Sequence, residues 1–205
     1  KAVTIELNKD VEVASTLTFE NAKGITLEGN GHKITTKVDK GHIMEIKCAF
    51  TMKDVTIYAA TKLYSTNSDD SYHDNAGKNE NIAFNTTKPI VITGCTFDGV
   101  ADAYYNVTGY IFSGTKVANG TTFSGNTFMG AAIRHNCINL YDFEANATVT
   151  ISGNKFLNVK TSTTNPVRLT NQSAVATTLV MTDNEYEYDV ADDNTEYAGF
   201  VLIQN

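Results

Sequence analysis

Tryptophan is absent from the 205 residues, proline occurs twice, and arginine stands only at Arg134 and Arg168. With a formal net charge of −7 and a sequence pI near 5.0, the chain lacks the clustered Lys and Arg that neutralise phosphates. Nucleic acid is therefore not an expected partner. No apolar run approaches the ~20 residues of a membrane helix, so insertion into a bilayer is not expected. Cysteine is scarce as well. Cys48, Cys95 and Cys137 are far apart, odd in number and without CxxC spacing, which indicates neither a zinc site nor a disulfide framework and reads as buried thiols. The sequence opens on Lys1 rather than Met, as expected of a processed, secreted form.

What is present points to strands. The chain is 41% hydrophobic and only 19% charged, enough apolar side chain for one sizeable core and for a single domain over residues 1–205. Thr and Asn make up about a quarter of it, a bias towards strands and turns. A short unit then returns: Ile92-Thr93-Gly94-Cys95-Thr96-Phe97, Phe123-Ser124-Gly125-Asn126-Thr127-Phe128, Ile151-Ser152-Gly153-Asn154-Lys155-Phe156 and Met181-Thr182-Asp183-Asn184-Glu185-Tyr186. Looser copies, Leu27-Glu28-Gly29-Asn30 and Met52-Lys53-Asp54-Val55-Thr56-Ile57, precede them. The Gly or Asp position falls at 29, 54, 94, 125, 153 and 183, spaced by 25, 40, 31, 28 and 30 residues. A period of that size signals a solenoid.

Each unit holds a strand, a two-residue corner and a second short strand with an inward aromatic, which leaves no room for a helix. Asn at a repeated corner can bond the Asn of the coils above and below, and Asp or Gly accepts the left-handed backbone such a corner needs. Cys95 in the Asn place suggests a small inward side chain. The expected fold is all-β. The run ITLEGNGHKI with ITGCTF, FSGNTF and ISGNKF resembles the right-handed parallel β-helix of the pectin-lyase-like superfamily over nearly the whole chain. That resemblance implies about seven coils, three parallel sheets and an Asn-bearing corner between the second and third. Third strands are expected at Ile43–Ile46, Ile82–Asn85, Tyr110–Phe112, Cys137–Tyr141, Val167–Thr170 and Phe200–Ile203.

Polar insertions interrupt the coils at about 58–81 and 98–109. Tyr64, Tyr72, Tyr104 and Tyr105 lie in them and are the expected contacts for a partner or a glycan, the alternative being that they pack the loops onto the rod. Asp69, Asp70 and Asp74, beside His73, offer oxygens of the kind Ca²⁺ takes, but without the fixed Gly and terminal Glu of an EF-hand. A solvated acidic loop and no cofactor are expected there, and the same holds for Asp189, Asp192 and Asp193. Sequons occur at Asn85, Asn106, Asn119, Asn146 and Asn171.

The resemblance implies relatives that cut or bind acidic polysaccharides on the outer face of the third strands. Alternation puts Glu45, Asn85, Asn139, Tyr141, Arg168 and Thr170 outward, a row with one Arg and one carboxylate, and the RxPxxR run of pectate lyases does not occur. Arg168 is the weak candidate for a catalytic base, and Arg134-His135 reads as surface. The leading expectation is a secreted or cell-surface structural or adhesive β-helix; a polysaccharide-binding or polysaccharide-cleaving enzyme is the alternative. Apolar strands at both ends, with Val3, Ile5 and Leu7 in one and Phe200 and Leu202 in the other, suggest end-to-end self-association into a filament.

Overall fold

A computed structural model describes residues 1–36, 42–59, 80–99, 109–129, 136–157, 165–187 and 200–204. Among them there is no helix, and 21 strands form three parallel sheets of seven. The chain is a right-handed parallel β-helix of about seven coils. The first sheet holds β1 (Val3–Glu6), β4 (Ile25–Glu28), β7 (Phe50–Lys53), β10 (Ile90–Thr93), β13 (Thr122–Ser124), β16 (Ala147–Ser152) and β19 (Thr177–Thr182). The second holds β2 (Val11–Val13), β5 (Lys33–Thr36), β8 (Thr56–Ala59), β11 (Thr96–Gly99), β14 (Thr127–Met129), β17 (Lys155–Leu157) and β20 (Glu185–Glu187). The third holds β3 (Leu17–Phe19), β6 (Met44–Ile46), β9 (Glu80–Phe84), β12 (Gly109–Ser113), β15 (Ile138–Tyr141), β18 (Val167–Thr170) and β21 (Val201–Gln204).

Because side chains alternate along a strand and register is kept from coil to coil, each inward position becomes a column. In the first sheet Ile5, Leu27, Met52, Ile92, Phe123, Ile151 and Met181 form one such column. In the second it is Val11, Ile34, Ile57, Phe97, Phe128, Phe156 and Tyr186. The rings of Phe97 and Phe128 stack at 4.9 Å and 9°, and those of Phe128 and Phe156 at 4.9 Å and 12°. In the third it is Leu17, Met44, Ile82, Ile111, Ile138, Val167 and Val201. These columns meet in one apolar core along the axis.

The Asn-bearing corner, expected between the second and third sheets, lies in chain order between the first and second, and its chemistry is the expected one. Asp54, Gly94, Gly125, Gly153 and Asp183 all take left-handed angles, φ 51, 64, 62, 62 and 56, at one place in successive coils. The next residue carries the ladder. Asn126 Oδ1 accepts from the Cys95 N–H at 3.0 Å while its Nδ2 donates to the Ile92 carbonyl and to Asn154 Oδ1, both at 3.0 Å. Asn154 repeats this towards Phe123 and Asn184 at 3.0 Å, and Asn184 donates to Ile151 O at 2.8 Å. Asn126 and Asn154 are buried, whereas Asn184, expected to be buried too, is only partly so because it is the last rung among the described residues.

Gly29 departs from expectation. It lies above Asp54, but the corner there runs for four residues, Gly29–His32, and the left-handed residues are Asn30 (φ 53) and Gly31 (φ 76). Gly29 is required for another reason: a Cβ on it would sit 2.1 Å from the Asp54 carbonyl oxygen. The corner of the first coil, Leu7–Asp10, is also four residues long.

The longest connections run from the second sheet to the third, and the undescribed internal segments, 37–41, 60–79, 100–108, 130–135, 158–164 and 188–199, all fall there. The two insertions are narrower than expected, since Tyr58, Ala59, Glu80, Asn81, Asp98, Gly99 and Gly109 belong to strands.

Candidate functional site

The outer face of the third sheet collects the polar side chains that alternation predicted. Register aligns Glu45, Ala83, Asn139, Arg168 and Leu202 in one outward row, and Tyr141, Thr170 and Gln204 in the next. Arg168 donates from Nε (3.2 Å) and Nη2 (2.8 Å) to Gln204 Oε1. Tyr141 is 38% exposed, and its hydroxyl meets Gln172 Nε2. Glu45 is held by Lys47 at 3.2 Å and by Asn85 Nδ2 at 3.4 Å.

Two atoms in this patch have no hydrogen-bond partner among the described residues, Asn139 Oδ1 and Thr170 Oγ1, and both are buried. Thr170 was expected to face solvent, yet it is 8% exposed. A buried acceptor or hydroxyl left unsatisfied costs roughly 1–3 kcal/mol, so this pair beside Tyr141 and Arg168 marks a covered polar patch rather than an open solvated surface. Strand spelling alone does not reveal it, because it depends on what covers the row.

Among the described residues the row holds one Arg, Arg168, and one carboxylate, Glu45. Glu45 and Arg168 lie four strands apart in the same sheet, about 19 Å at ~4.8 Å per strand. Paired glycosidase carboxyls work at roughly 5–9.5 Å, and a base at Arg168 is equally far from Glu45. No group of three His, Cys, Asp or Glu side chains that could hold a metal ion occurs among the described residues.

Several expected site residues lie outside the described residues: Tyr64, Tyr72, Tyr104, Tyr105, Asp69, Asp70, Asp74, Asn106, Arg134, His135, Asp189, Asp192 and Asp193. Of the remaining sequons, Asn85, Asn119 and Asn146 are exposed. Asn171 turns inward on its own loop, its Nδ2 donating to Val175 O at 2.9 Å. The three thiols are free and buried, and burial pushes Cys95 up to about 11, raises Cys137 well above its ordinary value and raises Cys48, which disfavours the reactive thiolate.

One charged cluster escaped the sequence reading. Asp142, at φ 67, accepts from the Ser173 N–H (2.9 Å) and hydroxyl (2.6 Å) and lies 3.5 Å from Lys116 Nζ. Burial pushes its carboxyl up, but the Ser173 hydroxyl and N–H, the Phe143 N–H and Lys116 together hold it below the ordinary value. These three residues clamp the corner after β15 and are structural.

The terminal coils form the second candidate region. Val3 (40%), Ile5 (37%) and Ile203 (58%) are exposed although they occupy inward columns. Leu179, Met181, Tyr186 and Val201 are partly buried at the other end of the same core. Leu202, expected among the end-to-end contacts, is on the outward row with Arg168, and Val201 and Ile203 take the inward places. Comparison with protein-family profiles, curated proteins and solved structures gives no match.

Proposed function

We propose that the chain is a structural and adhesive rod of the cell exterior that joins end to end through its terminal coils. The observation that carries this reading is that inward apolar positions are exposed on the outermost described strands, at Val3 and Ile5 in the first sheet and Ile203 in the third, while the second-sheet column ends on half-buried Val11 and Tyr186. Stacking a second copy in register follows Met181 with Ile5, Tyr186 with Val11 and Val201 with Leu17, so each column continues apolar on apolar. Each edge strand meets a strand of its own sheet, because the sheets hold seven strands apiece. The contact is head to tail and does not close, and it therefore grows a filament. Exposed sequons at Asn85, Asn119 and Asn146 suit a location outside the cell.

Sedimentation velocity and electron microscopy over a range of concentration test it. The expected result is concentration-dependent association into rods with an axial repeat of about 34 Å, from seven coils at ~4.8 Å, weakened by Ile5→Asp. A particle that stays monomeric at every concentration and pH overturns it.

A second reading is supported by the polar patch on the third sheet. Tyr141 with Asn139, Thr170, Arg168 and Gln204 combines a ring face with hydroxyl, amide and guanidinium groups, the mixture that holds a sugar. The variable connections that contain Tyr64, Tyr72, Tyr104 and Tyr105 adjoin the same sheet. A glycan screen reading both binding and unsaturated products tests it: binding lost in Tyr141→Ala and Arg168→Ala supports the adhesive form, and turnover abolished by Arg168→Ala supports a polysaccharide lyase.

A further inference from the structure

One outward column of the first sheet is β-branched at every position. Register aligns Thr4, Thr26, Thr51, Val91, Thr122, Thr150 and Val180 on its outer face, all half-buried except Thr4, which is exposed. A β-branched side chain is stiff at χ1, so each threonine holds its methyl group and its hydroxyl in a fixed direction. The next outward column, two residues along each strand, also carries hydroxyls from β10 onward, at Thr93, Ser124, Ser152 and Thr182.

These groups form a grid. Neighbours along the rod are ~4.8 Å apart, and positions two apart on one strand are about 6.6 Å apart. The usual sheet twist of roughly 20–25° per strand would turn such a grid into a propeller. Here successive coils are nearly unrotated, since the rings of Phe97, Phe128 and Phe156, which hold one place in three coils, lie 9° and 12° from parallel. The grid is also unspent. The hydroxyls of Thr26, Thr51 and Thr150 bond no protein group among the described residues. The undescribed internal segments join the second sheet to the third, and none of them is attached to the first.

The chemistry of the two columns narrows what they fit. They contain no aromatic ring or Arg, the anchors of protein interfaces, and so no ring on which a sugar could stack. Their one base, Lys53, is paired with Glu28 at 2.8 Å, which leaves no free cation for a phosphate or an anionic membrane. What they offer is a regular array of hydroxyls, each able to donate one hydrogen bond and accept two. Water molecules on a prism face of ice repeat in two perpendicular directions at spacings close to those of the grid.

We infer that the outer face of the first sheet binds ice, with the column from Thr26 to Thr150 and the hydroxyls of Thr93, Ser124 and Ser152 as the contact. This is a further function, and it does not depend on end-to-end joining. Because the contact is one row of short side chains, a bulky ring in the middle of it holds the whole face off a planar lattice.

Freezing-point osmometry with microscopy of single ice crystals tests this on the 205-residue chain, beside Thr122→Tyr, Thr150→Tyr and the control Thr127→Tyr, which adds the same ring to the outer face of the second sheet. Circular dichroism checks that each variant is folded. The expected result is a wild-type protein that facets ice and opens a gap between melting and freezing points, loss of both in Thr122→Tyr and Thr150→Tyr, and neither lost in Thr127→Tyr. Ice growth that the wild type leaves as an unrelated protein does at equal concentration overturns the inference. So does equal loss in Thr127→Tyr, which would remove the effect from this face. Sedimentation velocity covers the other occupant: a dimer of the wild type that Thr122→Tyr separates would assign the face to a second copy of the chain and overturn ice binding.

Discussion

Asn154 shows how much one side chain can carry in a solenoid. Its Oδ1 accepts from both the backbone N–H and the Nδ2 of Asn126, and its Nδ2 donates to the Phe123 carbonyl and to Asn184. Leucine has a similar volume but none of these groups, so Asn154→Leu strands the buried amides of Asn126 and the Phe123 carbonyl. A loss of at least ~1–3 kcal/mol is expected, and an unchanged melting temperature would count against the ladder. Cys95 is the same position built with a poorer group: its thiol reaches the Met52 carbonyl at 3.7 Å, where Asn126 Nδ2 reaches Ile92 O at 3.0 Å. Cys95→Asn therefore extends the ladder by one rung and is expected to raise stability by about 1 kcal/mol, read as a higher denaturant midpoint. A lowered midpoint would mean that the space under Val55 is too small for the amide.

At the scale of the element, two glycines that look alike in sequence are retained for opposite reasons. Gly94 is left-handed (φ 64) with nothing within 4 Å of a built Cβ, and Asp54 and Asp183 occupy the same place with φ 51 and 56. Gly94→Asp is expected to fold with a cost of no more than ~1–2 kcal/mol, that of a side chain in the left-handed region. Gly29→Ala puts a methyl group 2.1 Å from the Asp54 carbonyl oxygen, which only backbone movement relieves, and it is expected to be the more damaging change in thermal unfolding. Equal midpoints for the two variants would show that the four-residue corner gives way freely. The same pair explains what sequence could and could not reveal. The period, the inward columns and the Asn corner are local patterns, legible because coils repeat them. Whether Gly29 turns the chain or merely makes room depends on the length of its corner, and whether Thr170 faces water depends on what lies over its sheet. Neither is written in the residue's own neighbourhood.

For the molecule as a whole, each coil touches only its neighbours, so stability is a sum of coils and interfaces rather than one closed core. The interfaces are unequal. From β10 to β17 a coil has stacked phenylalanines, the Asn ladder and buried inward side chains on both sides, whereas β1 is exposed along its length and β19 and β20 have no fully buried residue. Opening should therefore proceed from the ends, with local free energies rising towards the middle. Native-state hydrogen exchange on the monomer at neutral pH is expected to show the slowest amides in Ile92, Phe97, Phe123, Phe128 and Ile151, and the fastest strand amides in β1, β2 and β21. Uniform protection from Ile5 to Ile203 would instead require the terminal edges to be covered in solution. Under the end-to-end reading, raising the protein concentration should slow exchange at β1 and β21 relative to the central amides, because the end strands then gain neighbours while the middle gains nothing.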